Sequence, residues 1–186
     1  MHVARPRPRE VTVFDTIAGL PLHVLVVHAV VILVPLAAVL VIAAVVSSAV
    51  RRRAGILTPL LATAAFALLP IATQSGEAFF ERLNEPDVAE GHADLGKGLW
   101  PWVLAVVVLA WIHWAMTRRT DPSHTSGERP KARPTGAVLA VAILAVVTSL
   151  AAIVQVVRVG DSGARAVWGN TVQNTAPDNG ESGDDG

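Results

Sequence analysis

Four stretches of the chain contain no Asp, Glu, Lys or Arg: Leu22–Val50, Ala54–Gly76, Gly98–Thr117 and Pro134–Val157. Each reaches the ~20 apolar residues that a helix needs to cross the hydrocarbon core of a bilayer. Lipid offers backbone amides no hydrogen-bond partner, so such a segment folds as a helix that satisfies its own backbone. A soluble helical bundle would carry a charged face on each helix, and none of these runs has one. The expected fold is therefore all-α, an integral membrane bundle of four transmembrane helices, with spans at about 22–50, 55–76, 98–117 and 135–158.

The 186 residues leave no room for a separate soluble domain beside four spans. Residues 1–13, with Arg-Pro-Arg-Pro-Arg, read as a disordered tail; residues 14–168 form the membrane domain; residues 169–186 form a disordered acidic tail. The first apolar run is far longer than the ~7–15 residues of a signal-peptide core, so it is expected to be retained. Pro35 is expected to kink it. Part of the polar stretch 74–97 is expected to extend the second and third helices beyond the membrane. Trp100 and Trp102 at one end of the third span, and Trp111 and Trp114 at the other, read as two interfacial belts, with His113 in the second. Small pairs at i, i+4, such as Ala145/Ser149, suit close helix approach.

The net charge is zero, but the charges are segregated. Arg51–Arg53 and residues 118–133 are basic; residues 74–98 and 158–186 are acidic. Basic charge directly against the membrane ends favours the cytoplasm, which puts both termini outside a bacterial plasma membrane. There are no cysteines, which excludes disulfides, thiolate metal sites and Cys nucleophiles. Nothing in the chain points to an enzyme or to nucleic acid. Its partners are the bilayer and, beyond it, a membrane redox partner or a second copy of itself.

Alternation of four spans brings His23, His28, Glu77, Glu81 and His92 to one membrane face. Ionisable residues at membrane helices are costly and mark functional sites by default. His23 and His28 lie five residues apart, roughly 140° around a regular helix, so one ion would not take both. The constellation that suits chemistry is His28 and His92, with His23 as a secondary ligand and Glu77 as a metal ligand. Imidazole with carboxylate suits a transition metal, and two imidazoles from facing helices suit the axial positions of haem b.

Four segments carry a resemblance. They are Gly19-Leu20-Pro21-Leu22-His23 with Val27-His28, then Ser75-Gly76-Glu77-Ala78, then Gly91-His92-Ala93-Asp94-Leu95-Gly96, and last Gly160-Asp161-Ser162-Gly163-Ala164-Arg165-Ala166-Val167-Trp168. Together they resemble the bacterial membrane family known as domain of unknown function 2231. The resemblance implies a four-helix membrane protein with a polar cluster at one face, and no activity. Where the last motif of that family carries a His, this chain has Asp161. Three readings follow from the residues: a structural or partner-binding membrane module, a haem or transition-metal protein in electron transfer, and a cation or proton transporter. The first leads, and the third is weakest because no second ionisable residue continues a path across the membrane.

Overall fold

A computed structural model of the protein describes residues 16–17, 20–83, 86–118 and 135–174, with side chains in 22–77, 91–118 and 135–165. Two strands of two residues, β1 (Thr16–Ile17) and β2 (Leu20–Pro21), pair antiparallel ahead of the bundle. Everything else described is helix or the turns between helices: α1 (Leu22–Val46), α2 (Ser48–Ala54), α3 (Leu57–Leu83), α4 (Pro86–Lys97), α5 (Trp100–Arg118) and α6 (Gly136–Asn174). Four helical segments are long and apolar enough to span a bilayer: Leu22–Val46, Leu57–Glu77, Gly91–Arg118 and Gly136–Arg165. The expected all-α membrane bundle is observed.

The element ends differ from expectation in three places, each for a local reason. The first helix does not run to Val50. Ser47 leaves the helical region (φ −123°, ψ 112°), and its hydroxyl accepts from the Val50 N–H at 3.4 Å, capping the short helix α2 that holds Arg51–Arg53. A serine hydroxyl offers the backbone a partner that competes with the helical bond. The third span begins not at Gly98 but in α4, which a turn at Gly98–Leu99 joins to α5. The fourth helix does not stop at 158, and residues 169–174, expected to be disordered, are helical. It passes through Gly160-Asp161-Ser162-Gly163, which composition alone reads as a loop, because there it packs against α4 and local propensity is overridden by tertiary contact. The helical extensions expected around the polar stretch are present, α3 reaching Leu83 and α4 starting at Pro86. The tails at 1–13 and 175–186 lie outside the described residues.

The spans form a ring. α1 packs on α3 and α6, α5 packs on α3 and α6, and α1 meets α5 across the diagonal. Inward positions recur in steps of three and four. On α1 they are Val30, Val34, Ala37, Val41 and Ala44; on α5 they are Val103, Val106, Ala110 and His113. This is the spacing of a left-handed bundle. The centre is built from alanines, with Ala38, Ala65 and Ala145 fully buried. In lipid, where no hydrophobic force drives helices together, small side chains let backbones approach and gain dispersion contact. The large apolar residues point out: Ile32, Val39, Leu144 and Val157 are all more than half exposed. That inversion of the soluble pattern is what a lipid-facing surface requires.

His113 is not in an interfacial belt. It is 6% exposed, on the inward seam of α5 and near Arg51. Trp111 donates its indole N–H to Thr63 Oγ1 on α3 at 3.1 Å, and Arg118 covers the Trp114 ring at 4.4 Å.

The alternation predicts a simple labelling result. The chain has no native cysteine, so single substitutions report cleanly. Glu77→Cys and Gly91→Cys should react with a membrane-impermeant maleimide from one side of sealed vesicles. Arg53→Cys and Arg118→Cys should react from the other. Reaction of 77 and 91 from opposite sides would refute the four-span topology.

Candidate functional site

At the end of the bundle where α1 and α4 begin and α3 leaves the membrane, two imidazoles are held in the same way. His23 opens α1, one residue after its start. Its Nδ1 lies 3.2 Å from the carbonyl oxygen of Ala72 and 3.3 Å from Ser75 Oγ, both on α3. A carbonyl only accepts, so Nδ1 carries the proton and donates it. The Ser75 hydroxyl donates in turn to Ala72 O at 3.2 Å. The ring lies against Gly76: a Cβ placed there would stand 2.9 Å from His23 Cε1. Only glycine leaves that room.

His92, in α4, repeats the arrangement against α6. Its Nδ1 is 2.9 Å from Ser162 Oγ. That hydroxyl sits 2.8 Å from Val159 O, which takes the hydroxyl proton, so His92 Nδ1–H donates to the serine oxygen. The ring lies against Gly163, where a Cβ would stand 3.2 Å from Cε1. One further tie closes this corner. Gln155 on α6 donates its amide to Leu95 O at 3.0 Å, and a Cβ at Gly98 would meet that amide at 3.0 Å. His23 and His92 are near enough for a charge on one to be felt by the other.

With Nδ1 protonated in both neutral rings, the lone pair of each is on Nε2. A hydrogen bond from the far ring nitrogen to a fixed oxygen is how proteins orient a histidine that binds through the near one, setting tautomer and ring plane and raising basicity. The same bonds also tie helices, α1 to α3 and α4 to α6. Interhelical bonds of this kind contribute ~0.6 kcal/mol each on average.

The other residues singled out in the sequence are placed differently. His28 is exposed on the outside of α1, and its Nδ1–H donates to Val24 O of its own helix at 2.6 Å. It is not brought to His92. Glu77 is exposed beside the site, and the side chain of Glu81 lies outside the described residues. Among the described residues no three His, Asp or Glu come together as an ion-binding group. Asp161 faces outward to Arg165, 2.8 Å away, in an exposed pair of little energetic weight. The residue after it, Ser162, is the one that meets His92.

Sequence reasoning did not pick Ser75, Ser162, Gly163 or Gln155 as parts of the site. The dipeptide Ser-Gly marks both places, at 75–76 and 162–163, but it also occurs at 126–127 and 182–183 and so does not single them out.

One protein-family profile, described as "Predicted membrane protein (DUF2231)", matches residues 19–176, most of the chain. No curated protein and no solved structure matches it.

Proposed function

The chain belongs to the DUF2231 family of membrane proteins, and from that premise we propose that it is a cofactor-holding membrane module, with His23 and His92 as the ligands. The observation that supports this is the shared orientation of the two rings. Each donates Nδ1–H to a fixed oxygen of a facing helix and so presents Nε2 as the lone-pair atom.

The donor set favours one class of cofactor. A bare transition-metal ion needs three or four protein ligands, and the described residues supply two here. A metal tetrapyrrole brings four in-plane nitrogens of its own and needs only two axial ligands. Two imidazoles on diagonal helices meet that need. Haem b is the reading; His28 and Glu77 are not part of it.

Protein purified from cells supplied with a haem precursor should show a Soret band and one tetrapyrrole per chain. The band should be lost or shifted in His23→Ala and in His92→Ala, and kept in His28→Ala. A colourless wild-type preparation that stays colourless on reconstitution would refute the reading.

A second reading keeps the same contacts without a cofactor: the module would lock its helices and dock a partner. What supports it is His28, an ionisable group on the outer side of α1 that a protein partner would cover better than lipid does. Ion transport has less support, since the buried polar side chains among the described residues are only Thr58, His113 and Ser149.

A further inference from the structure

We infer that residues 23–76 and 92–163 are two copies of one helical hairpin, and that the group bound at this face lies on the two-fold axis relating them, with His23 and His92 as its equivalent ligands. The inference rests on the proposed function for the nature of the group. The duplication stands on its own geometry.

The register of the two halves agrees at five inward positions of the leading helices, while Val26 and Ala38 are buried where their counterparts Leu95 and Val107 are half-buried. Counting from His23, residues 7, 11, 14, 18 and 21 positions on are Val30, Val34, Ala37, Val41 and Ala44, all buried. Counting from His92, the same steps give Leu99, Val103, Val106, Ala110 and His113, all buried. The returning helices agree as well. Six, ten, thirteen and seventeen positions before Ser75 stand Leu69, Ala65, Ala62 and Thr58; before Ser162 stand Val156, Ala152, Ser149 and Ala145. All eight are buried. The polar detail follows the same register. Ser75 donates to the carbonyl three residues back, Ala72, and Ser162 to the carbonyl three residues back, Val159. Each serine meets a histidine Nδ1, and each following glycine lies under that ring.

The packing has the matching symmetry. A two-fold axis along the bundle exchanges α1 with α4–α5 and α3 with α6. It carries the α1–α3 contact onto α5–α6, and α1–α6 onto α5–α3, all of which are present. Helix directions are preserved, as in parallel membrane repeats. The register break at Gly98–Leu99 and the unequal connections are where the copies diverge. His113, which nothing in the site uses, is explained too: it occupies the inward position that Ala44 holds in the first copy.

Symmetry then restricts the ligand. Two ligands exchanged by an axis lie on opposite sides of a centre on that axis, along a line perpendicular to it. For a metal tetrapyrrole, the ring plane therefore contains the bundle axis and stands upright in the membrane. The serines are positioning residues that act through the imidazoles. Ser75 shares the Nδ1–H of His23 with Ala72 O, and Ser162 accepts from His92 Nδ1–H.

The test uses the full chain in lipid nanodiscs with hemin as the probe. Expected are one hemin per chain, a low-spin ferric spectrum, and linear dichroism of oriented membranes with the ring normal in the membrane plane. His23→Ala and His92→Ala should each convert the hemin to high spin. Ser162→Ala and Ser75→Ala should each shift the midpoint potential upward, with low spin retained. If hemin binds but one of the two histidines can be removed with low spin retained, or if the ring lies flat, the shared-axis inference is overturned while the cofactor reading survives. If hemin does not bind although the nitrogen-15 spectrum of labelled histidine shows both rings protonated on Nδ1, the cofactor reading falls and the shared ligand with it.

Discussion

Gly76→Val and Gly163→Val should each empty one histidine station, and the first should do so more completely. At Gly76 a bare Cβ already stands 2.9 Å from His23 Cε1 and 3.2 Å from its Nδ1, a separation that carbon atoms do not sustain. The γ-methyl groups of valine extend the clash. The ring is the movable party, so it swings away and gives up its bonds to Ala72 O and Ser75 Oγ. At Gly163 the Cβ stands 3.2 Å from His92 Cε1, tight enough that alanine needs only a shift of a few tenths of an ångström. The expected order of damage is therefore Gly76→Val, then Gly163→Val and Gly76→Ala, then Gly163→Ala. Overpacking of this kind costs about 1–3 kcal/mol when nothing can yield. Here the flexible side chain yields, so thermal stability in detergent should fall by less than that range, while low-spin hemin binding is lost in both valine variants. The nitrogen-15 spectrum of labelled histidine should lose the bonded His23 signal in Gly76→Val alone. If Gly76→Val leaves that signal unchanged, the ring does not lie on the glycine.

What the sequence made legible follows from the solvent. A charge-free run of twenty residues has one structural solution in lipid, so the four spans, their alternation and the shared face of His23, Glu77 and His92 could all be read in advance. The choice of ligand could not. His28 looked the stronger candidate because it lies deeper in the span than His23. The two rings stand roughly 140° apart around the helix, so only one of them can face inward, and nothing local says which. The facing helix decides it: Gly76 opens a space at the level of His23, and no such space is described at the level of His28. His113 illustrates the same limit. Its neighbours Trp111 and Trp114 suggest an interface, but its place on the three–four seam carries it indoors. The end of the fourth helix was hidden for a different reason. Gly160, Asp161, Ser162 and Gly163 are weak helix formers, and they stay helical where they pack on α4. Registers between helices, unlike spans, are properties of pairs of segments. The Ser-Gly at 75–76 and 162–163 is a trace of them, masked by the same dipeptide at 126–127 and 182–183.

Ala65→Arg and Ala152→Arg should abolish the folded bundle, and they should do so equally. The two alanines occupy the same position in the duplicated hairpin, ten residues before Ser75 and Ser162, at 0% and 1% exposure. Both lie near the middle of their spans. The space they line with Ala37, Ala38, Ala62 and Val106 has no room for a water molecule, so no solvent can accompany a charge there. Arginine at the centre of a membrane helix costs about 2.5–3.5 kcal/mol on insertion scales, even where snorkelling helps. In the folded bundle that relief is closed off, because the side chain would point between helices, not along the lipid. Steric overpacking adds about 1–3 kcal/mol. Leucine at either position isolates the steric part and should cost only that. Leu144→Ala, on a side chain 52% exposed toward lipid, should change stability by well under 1 kcal/mol, since lipid chains fill the space a leucine leaves. The measurement is the folded fraction after detergent titration, read by proteolysis or by intrinsic tryptophan fluorescence. Equal and near-complete loss at 65 and 152, intermediate loss for the leucine variants and near-wild-type behaviour for Leu144→Ala would place the packing centre on the two-fold axis. A stable Ala152→Arg protein would put that position in contact with lipid or water and remove the second hairpin from the bundle described above.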